Sequence, residues 1–287
     1  MSNPIVDPLV EVVDISATSE FVDIEATVEG VVTVTLNRPA RKNAFDADLI
    51  SALEEAFRTL QGAEGVRVIF VRGAGGTFSA GADLEWMRAA ADRTEADNRE
   101  DAFEMAKMLK QLWDIPALTV ALVEGAAFGG GVGLAAACDL AVATALTRFS
   151  FSEVRLGLIP ATISPYVVQA IGPRTARGLF ATGQVFDAAH AQHIGLVNEV
   201  VPDTAALLAA RDRIARDIME CAPGAVAEAK RLAADVYGQE IDHGLMEETA
   251  RRIASARVSP EGQEGVRAFL ERRKPSWALG DPLPPGE

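Results

Sequence analysis

The chain has 287 residues, 49% hydrophobic and 24% charged, an ordinary globular composition that is long enough to bury a large core without staples. Its two cysteines, Cys138 and Cys221, exclude a disulfide framework and fit a reducing compartment. A formal net charge of −14 argues against a nucleic-acid partner, whose binding domains are usually basic, and against an anionic membrane surface.

The first twenty residues carry Asp7, Glu11, Asp14 and Glu20 with no Lys or Arg, the reverse of a secretory or transit peptide. The longest uncharged run, residues 156–173, is broken by Pro160, Pro165 and Pro173, so no membrane span is expected and the expected location is cytoplasmic. The first elements are strands at 21–27 and 31–36, rich in Val, Ile and Thr and joined through Glu29-Gly30 as a hairpin. Asn37-Arg38-Pro39 breaks that pattern. A helix over 46–60 follows, with Leu49, Leu53, Ala56, Phe57 and Leu60 on one face. Residues 66–71 read as a buried strand ending in Gly73-Ala74-Gly75-Gly76, and 98–112 as an amphipathic helix. A further buried strand at 118–123 leads through Gly125 into a small-residue helix reaching Ala137, and 139–143 repeats the strand signal. After a strand signal at 196–201 the strands cease. Helices are expected at 204–221, 224–237, 244–256 and 260–272, punctuated by Pro223, Gly238 and Pro260. The chain therefore divides into an α/β core over 1–200, its first ~18 residues loose, and a helical region over 201–287 that packs on the core or on a neighbouring subunit and ends in a loose tail rich in proline.

Several chemistries find no support. No G-x-S-x-G elbow is present, since Thr77 stands where the first glycine belongs, and no Gly-Lys-Ser/Thr triplet exists. His190 and His193, beside Asp187 and Gln192, fit an exposed helix rather than a metal site, and no metal is expected. The run Gly129-Gly130-Gly131-Val132-Gly133 lacks the spacing of a dinucleotide loop. A strand, a tight glycine turn and a helix start still leave backbone N–H groups aimed at one point, a place suited to an anion or oxyanion. Gly76-Thr77-Phe78-Ser79-Ala80-Gly81-Ala82-Asp83-Leu84 repeats the construction, and two such loops can clamp one carbonyl oxygen between them.

Phe78-Ser79-Ala80-Gly81-Ala82-Asp83-Leu84, Glu124 through Gly131 with Cys138-Asp139 behind it, and Phe149 through Pro160 together resemble the crotonase (enoyl-CoA hydratase/isomerase) superfamily. Asn37-Arg38-Pro39, Lys42-Asn43-Ala44 and Gly195-Leu196-Val197 fit as well, so the resemblance runs from about residue 20 to 274. It implies an α/β fold, a crotonase-like spiral of ββα repeats with a C-terminal helical trimerisation region, and self-association as a homotrimer or a dimer of trimers. The substrate it implies is an acyl-CoA thioester, with no separate cofactor. The family's oxyanion hole, carried over by position, falls on the N–H groups of Ala80 and Gly130, and one of its two hydratase glutamates falls on Glu153. The other falls on Gly133, which has no side chain. The implied substrate-binding positions are Ala44, Ala82, Asp83, Leu84, Trp86, Gly129 and Gly133, with Arg41 and Lys274 for the nucleotide phosphates, Lys274 reaching them from a neighbouring subunit.

One carboxyl in an apolar pocket can serve as base and then as acid, so Glu153 alone supports hydration of a 2-enoyl thioester. One carboxyl also suffices for a double-bond isomerase. The loss of an acid at Gly133 equally fits a non-catalytic acyl-CoA-binding relative. Gly133, Ser152-Glu153-Val154-Arg155-Leu156-Gly157 and Ile163-Ser164-Pro165-Tyr166 resemble the methylglutaconyl-CoA and isohexenylglutaconyl-CoA hydratase branch, which implies leucine degradation or related acyl-CoA metabolism.

Overall fold

The computed structural model describes residues 19–278, so the expected loose N-terminus and proline-rich tail lie outside the described residues. The chain opens with the hairpin β1 (Val22–Ala26) and β2 (Val31–Leu36), turned at Gly30 with φ of 84°. Helix α1 (Ala47–Gly62) starts where the Asp46 carboxylate accepts from Leu49 N–H at 3.0 Å, satisfying one of the N-terminal amides the helix cannot pair itself. Then come β3 (Val68–Gly73), α2 (Leu84–Ala91), α3 (Glu95–Asp114) and β4 (Leu118–Val123). Next are β5 (Ala126–Phe128), α4 (Gly130–Ala137), β6 (Leu140–Thr144) and β7 (Arg148–Ser150). A 3-10 turn (Ser152–Leu156) leads to α5 (Ser164–Thr182), β8 (Val185–Asp187), α6 (Ala188–His193) and β9 (Glu199–Val201). The chain closes with α7 (Thr204–Met219), α8 (Pro223–Val236), α9 (His243–Val258) and α10 (Pro260–Leu270).

Six strands form one sheet in the order β1-β2-β3-β4-β6-β9, antiparallel only between β1 and β2. β3 and β4 read as near-continuous apolar runs because both their faces are covered. Successive side chains of a strand point to opposite faces. Ile69, Val71, Ala121 and Val123 therefore join the larger core with α1, α3 and α4, while Val68, Phe70, Val120 and Leu122 pack against Leu207, Ala210, Ile214 and Ile218 of α7. A second sheet runs β5-β7-β8. Its strands follow those of the first in the chain, β4 then β5, β6 then β7, each pair returning through a helix (α4, α5). This is the repeated ββα turn of the expected spiral.

Where the reading from sequence placed one helix from Gly125 to Ala137, the structure interposes β5 and begins the helix at Gly130. Helices α9 and α10 bury almost nothing. Met246, Ile253, Val258, Val266, Phe269 and Leu270 all stand exposed on them. Among the described residues no helix is long and apolar enough to cross a membrane.

Candidate active site

The loop from Gly73 to Leu84 is held from below by Asn43, whose side chain is fully buried. Its amide donates to Ala74 O at 2.9 Å and Thr77 O at 2.6 Å, and its carbonyl accepts from Arg38 N–H at 2.9 Å. Arg38 in turn donates to Ala44 O and pairs with Asp46 at 2.6 Å and Asp83 at 3.6 Å. Ala44 also gives its own N–H to Arg41 O. These partners lock the stretch 38–46 beneath the loop.

Backbone hydrogen bonds then select one amide. Phe78 N–H donates to Glu124 O, Ser79 to Ala126 O, Ala80 to Lys42 O at 2.9 Å, and Asp83 to Phe45 O at 2.8 Å. Gly81 N–H reaches the Ser79 hydroxyl at 3.3 Å. Ala82 is bridged in parallel to Phe45, whose bonds run to Gly81 O and Asp83 N, so the Ala82 N–H points the other way. It has no acceptor among the described residues. The oxyanion donor expected at Ala80 is thus already spent on Lys42, and the available one is Ala82, two residues on.

The second loop supplies its counterpart. Gly129, with φ of 49°, gives its N–H to Ser150 O and turns the chain into α4, whose first residue Gly130 has an N–H with no acceptor among the described residues. A residue other than glycine at 129 would be strained by that φ. The two loops touch: a Cβ on Gly81 would stand 3.0 Å from Phe128 O, and one on Gly129 would lie 4.0 Å from Gly81 Cα. The N–H groups of Ala82 and Gly130 therefore flank one place. The N-terminal end of α4 adds the positive end of its dipole there. Phe45 and Met105 wall the site, since a Cβ on Gly130 would meet Met105 Cε at 3.0 Å and Phe45 Cδ2 at 3.1 Å.

Glu153 comes from the 3-10 turn and closes the same place. Its Oε1 is 3.0 Å from where a Gly129 Cβ would be, and its Oε2 is buried without a hydrogen-bond partner. Burial pushes the carboxyl above its ordinary pKa, against a smaller downward pull from its own backbone amide. Among the described residues no cation offsets that burial.

Other expected contacts resolve differently. Asp83 is buried, but its carboxylate caps α2 by accepting from Glu85 and Trp86 N–H and pairs with Arg38, so it holds the loop rather than a ligand. Both backbone polar groups of Ala44 are committed, and it too supports the loop. The Leu84 side chain is exposed on α2, and Trp86 is half-buried with its indole Nε1 sealed and unpartnered. Gly133 does not line the site: a Cβ there would stand 2.1 Å from Ile163 Cγ2, so Ile163 covers it. Arg41, exposed beside α2, pairs with Glu85 at 3.2 Å. Lys274 pairs with Glu220 at 3.2 Å, at the end of α7, so within one chain it is not brought to Glu153.

Sequence reading quoted Ile163 and Asn43 as parts of motifs without giving either a role at the site, and it missed Phe45. The roles of the first two could have been found from the bulky residue before Ser164-Pro165 and from Asn at a turn.

A family model described as enoyl-CoA hydratase/isomerase matches residues 26–279. The enoyl-CoA hydratase AKT6-1 of Alternaria alternata is 34% identical over 251 residues, covering 85% of this chain and 80% of that protein. A crystal structure of a chain described as enoyl CoA hydratase/isomerase (crotonase) from Legionella pneumophila is 46% identical, with a TM-score of 0.85 over 90% of this chain and 98% of that one. An enoyl-CoA hydratase from Shewanella pealeana superposes with a TM-score of 0.88 at 36% identity, over 92% and 98% of the two chains.

Proposed function

The chain belongs to the enoyl-CoA hydratase/isomerase family, and from that premise we propose that it adds water across the 2,3 double bond of a 2-enoyl-CoA thioester. One observation carries the reading: the two uncommitted amides, Ala82 and Gly130, stand beside a desolvated carboxyl with an unpartnered oxygen. The thioester oxygen lies between the two N–H groups, where developing negative charge is stabilised. Glu153 takes a proton from water as the water oxygen bonds to C3, and electrons of the double bond pass to C2 and the thioester oxygen. The same carboxyl returns that proton to C2, so H and OH add from one face. The raised pKa of Glu153 suits both steps, because a group that is too acidic would not give the proton back.

Branched and glutaconyl-type esters are the first substrates to try, on the strength of Gly133 and the stretches around Glu153 and Ile163. A panel that includes 3-methylglutaconyl-CoA, followed by loss of the conjugated thioester absorbance, should show hydration by the wild type. Glu153→Gln should lower turnover by at least about 10²-fold. No water addition to any member of the panel would refute the reading.

The cover of Ile163 over Gly133 favours a second reading, a 3-enoyl-CoA to 2-enoyl-CoA isomerase, in which one carboxyl moves a proton between C4 and C2. A gain of conjugated absorbance from a 3-enoyl ester, without hydration of the 2-enoyl one, would decide for it. A purely binding role would show as tight CoA-ester binding with no turnover of either.

A further inference from the structure

Gly133 donates its N–H to Gly129 O at 3.2 Å, so the two glycines bracket the first turn of α4. Glu153 Oε1 packs against the first. Ile163 packs against the second, its Cγ2 2.1 Å and its Cβ 2.6 Å from where a Gly133 Cβ would stand. Carboxyl and isoleucine thus pack at the two ends of the same first turn of α4. Ile163 is only 2% exposed and is fixed by its chain: it directly precedes α5, accepts from Val167 N–H, and follows a turn closed by Ala161 N–H to Ile159 O.

We propose that Ile163 is a positioning residue for Glu153: it fills the one place on that side of α4 where a second polar side chain or a water could stand, so the carboxyl works alone in apolar surroundings. The assignment presupposes the acid/base role of Glu153 argued above. The charged groups on the elements packed around the turn are Arg155 on the turn itself, Arg174 and Arg177 on α5, and Arg148 and Asp187 on β7 and β8. None of them acts on the Glu153 carboxyl, whose titration is set by burial and by its own backbone amide. The aliphatic stem of Arg155 lies instead against Gly183, with Cγ 3.4 Å from where a Cβ would be. Burial is therefore the leading influence on its protonation, and Ile163 is a buried apolar side chain on the same turn of α4.

Two variants of the full chain test this. Ile163→Ala opens room for water beside the carboxyl. Ile163→Thr keeps most of the volume but offers a hydroxyl, so it stays informative if the alanine variant folds poorly. The Glu153 side chain is titrated directly by carboxyl ¹³C NMR, its signal assigned by its loss in Glu153→Gln. In parallel the acid limb of kcat/KM for but-2-enoyl-CoA is recorded. Both variants should lower the midpoint by about one pH unit, since a solvated or hydrogen-bonded carboxylate ionises more readily. The acid limb should move by the same amount, and Ile163→Val should restore the wild-type value. A midpoint unchanged in both variants overturns the assignment, whatever happens to turnover. If the wild type hydrates no member of the enoyl-CoA panel, the hydratase reading fails, and the NMR midpoint still decides the role of Ile163.

Discussion

Asn43 offers the sharpest test of how the loop bearing Ala82 is held. Its side chain makes three hydrogen bonds, to Ala74 O, Thr77 O and Arg38 N–H, from a fully buried position with φ of 51°. Asn43→Ala removes all three. Each buried group left without a partner costs about 1–3 kcal/mol, though Ala74 and Thr77 are only half-buried and can recruit water, which favours the lower end. Alanine also tolerates the left-handed backbone less well than asparagine, by about 1 kcal/mol. The sum is a loss of about 3–5 kcal/mol. Asn43→Asp discriminates the cause. It keeps the backbone preference and the acceptor for Arg38, but it turns both donations into a carboxylate facing two carbonyl oxygens.

Urea unfolding followed by tryptophan fluorescence should therefore show Asn43→Asp at least as destabilised as Asn43→Ala. Turnover of both should drop more than tenfold under conditions where they stay folded, because Ala82 rides on the released loop. An aspartate variant within about 1 kcal/mol of wild type would show that the two donations do not hold the loop, and the account of how Ala82 is aimed would fall with it.

Two further outcomes follow from the same structure. Ionising Glu153 costs stability, because its folded pKa is raised; that cost is absent below the unfolded carboxylate pKa and grows as pH rises through the folded one. Glu153→Gln should therefore unfold at a higher temperature than wild type near pH 8, with the gap closing towards pH 4, and a gap independent of pH would show that the carboxyl is not desolvated. The apolar side chains exposed on α9 and α10, among them Ile253, Val266, Phe269 and Leu270, fit a face that another copy of the chain covers; sedimentation should give a multiple of the chain mass that Phe269→Glu with Ile253→Glu reduces, and a wild-type monomer at micromolar concentration would refute it.

The larger sheet was legible because its central strands β3 and β4 are apolar on both faces, and residues 66–71 and 118–123 are short apolar runs. The second sheet was not. β5, β7 and β8 are three residues each, too short for an alternating pattern, and Ala126-Ala127-Phe128 carries no strand preference that the surrounding small residues do not mask. Those three strands nonetheless set the site, since β5 delivers Gly129 and the chain after β7 delivers Glu153. The two glycine loops could be read from their residues and Glu153 from the family resemblance, but the sheet that gathers them could not.

Ala80 and Ala82 mark the limit of spacing as a guide. In both loops the motif announces that some amide is unpaired, and glycine content alone narrows the choice only to a few neighbours. Which one is unpaired depends on where the partners stand: the N–H groups of Phe78, Ser79 and Ala80 are all taken in a row, Asp83 is taken again, and Ala82 between them is not. The partners here are Lys42, Phe45, Glu124 and Ala126, 38 to 47 residues away in sequence from the amides they take. Nothing within the segment 76–84 encodes that register. It is set where Asn43 and Arg38 pin the stretch 38–46, and only once Phe45 is placed is the N–H of Ala82, rather than that of Ala80, left without an acceptor.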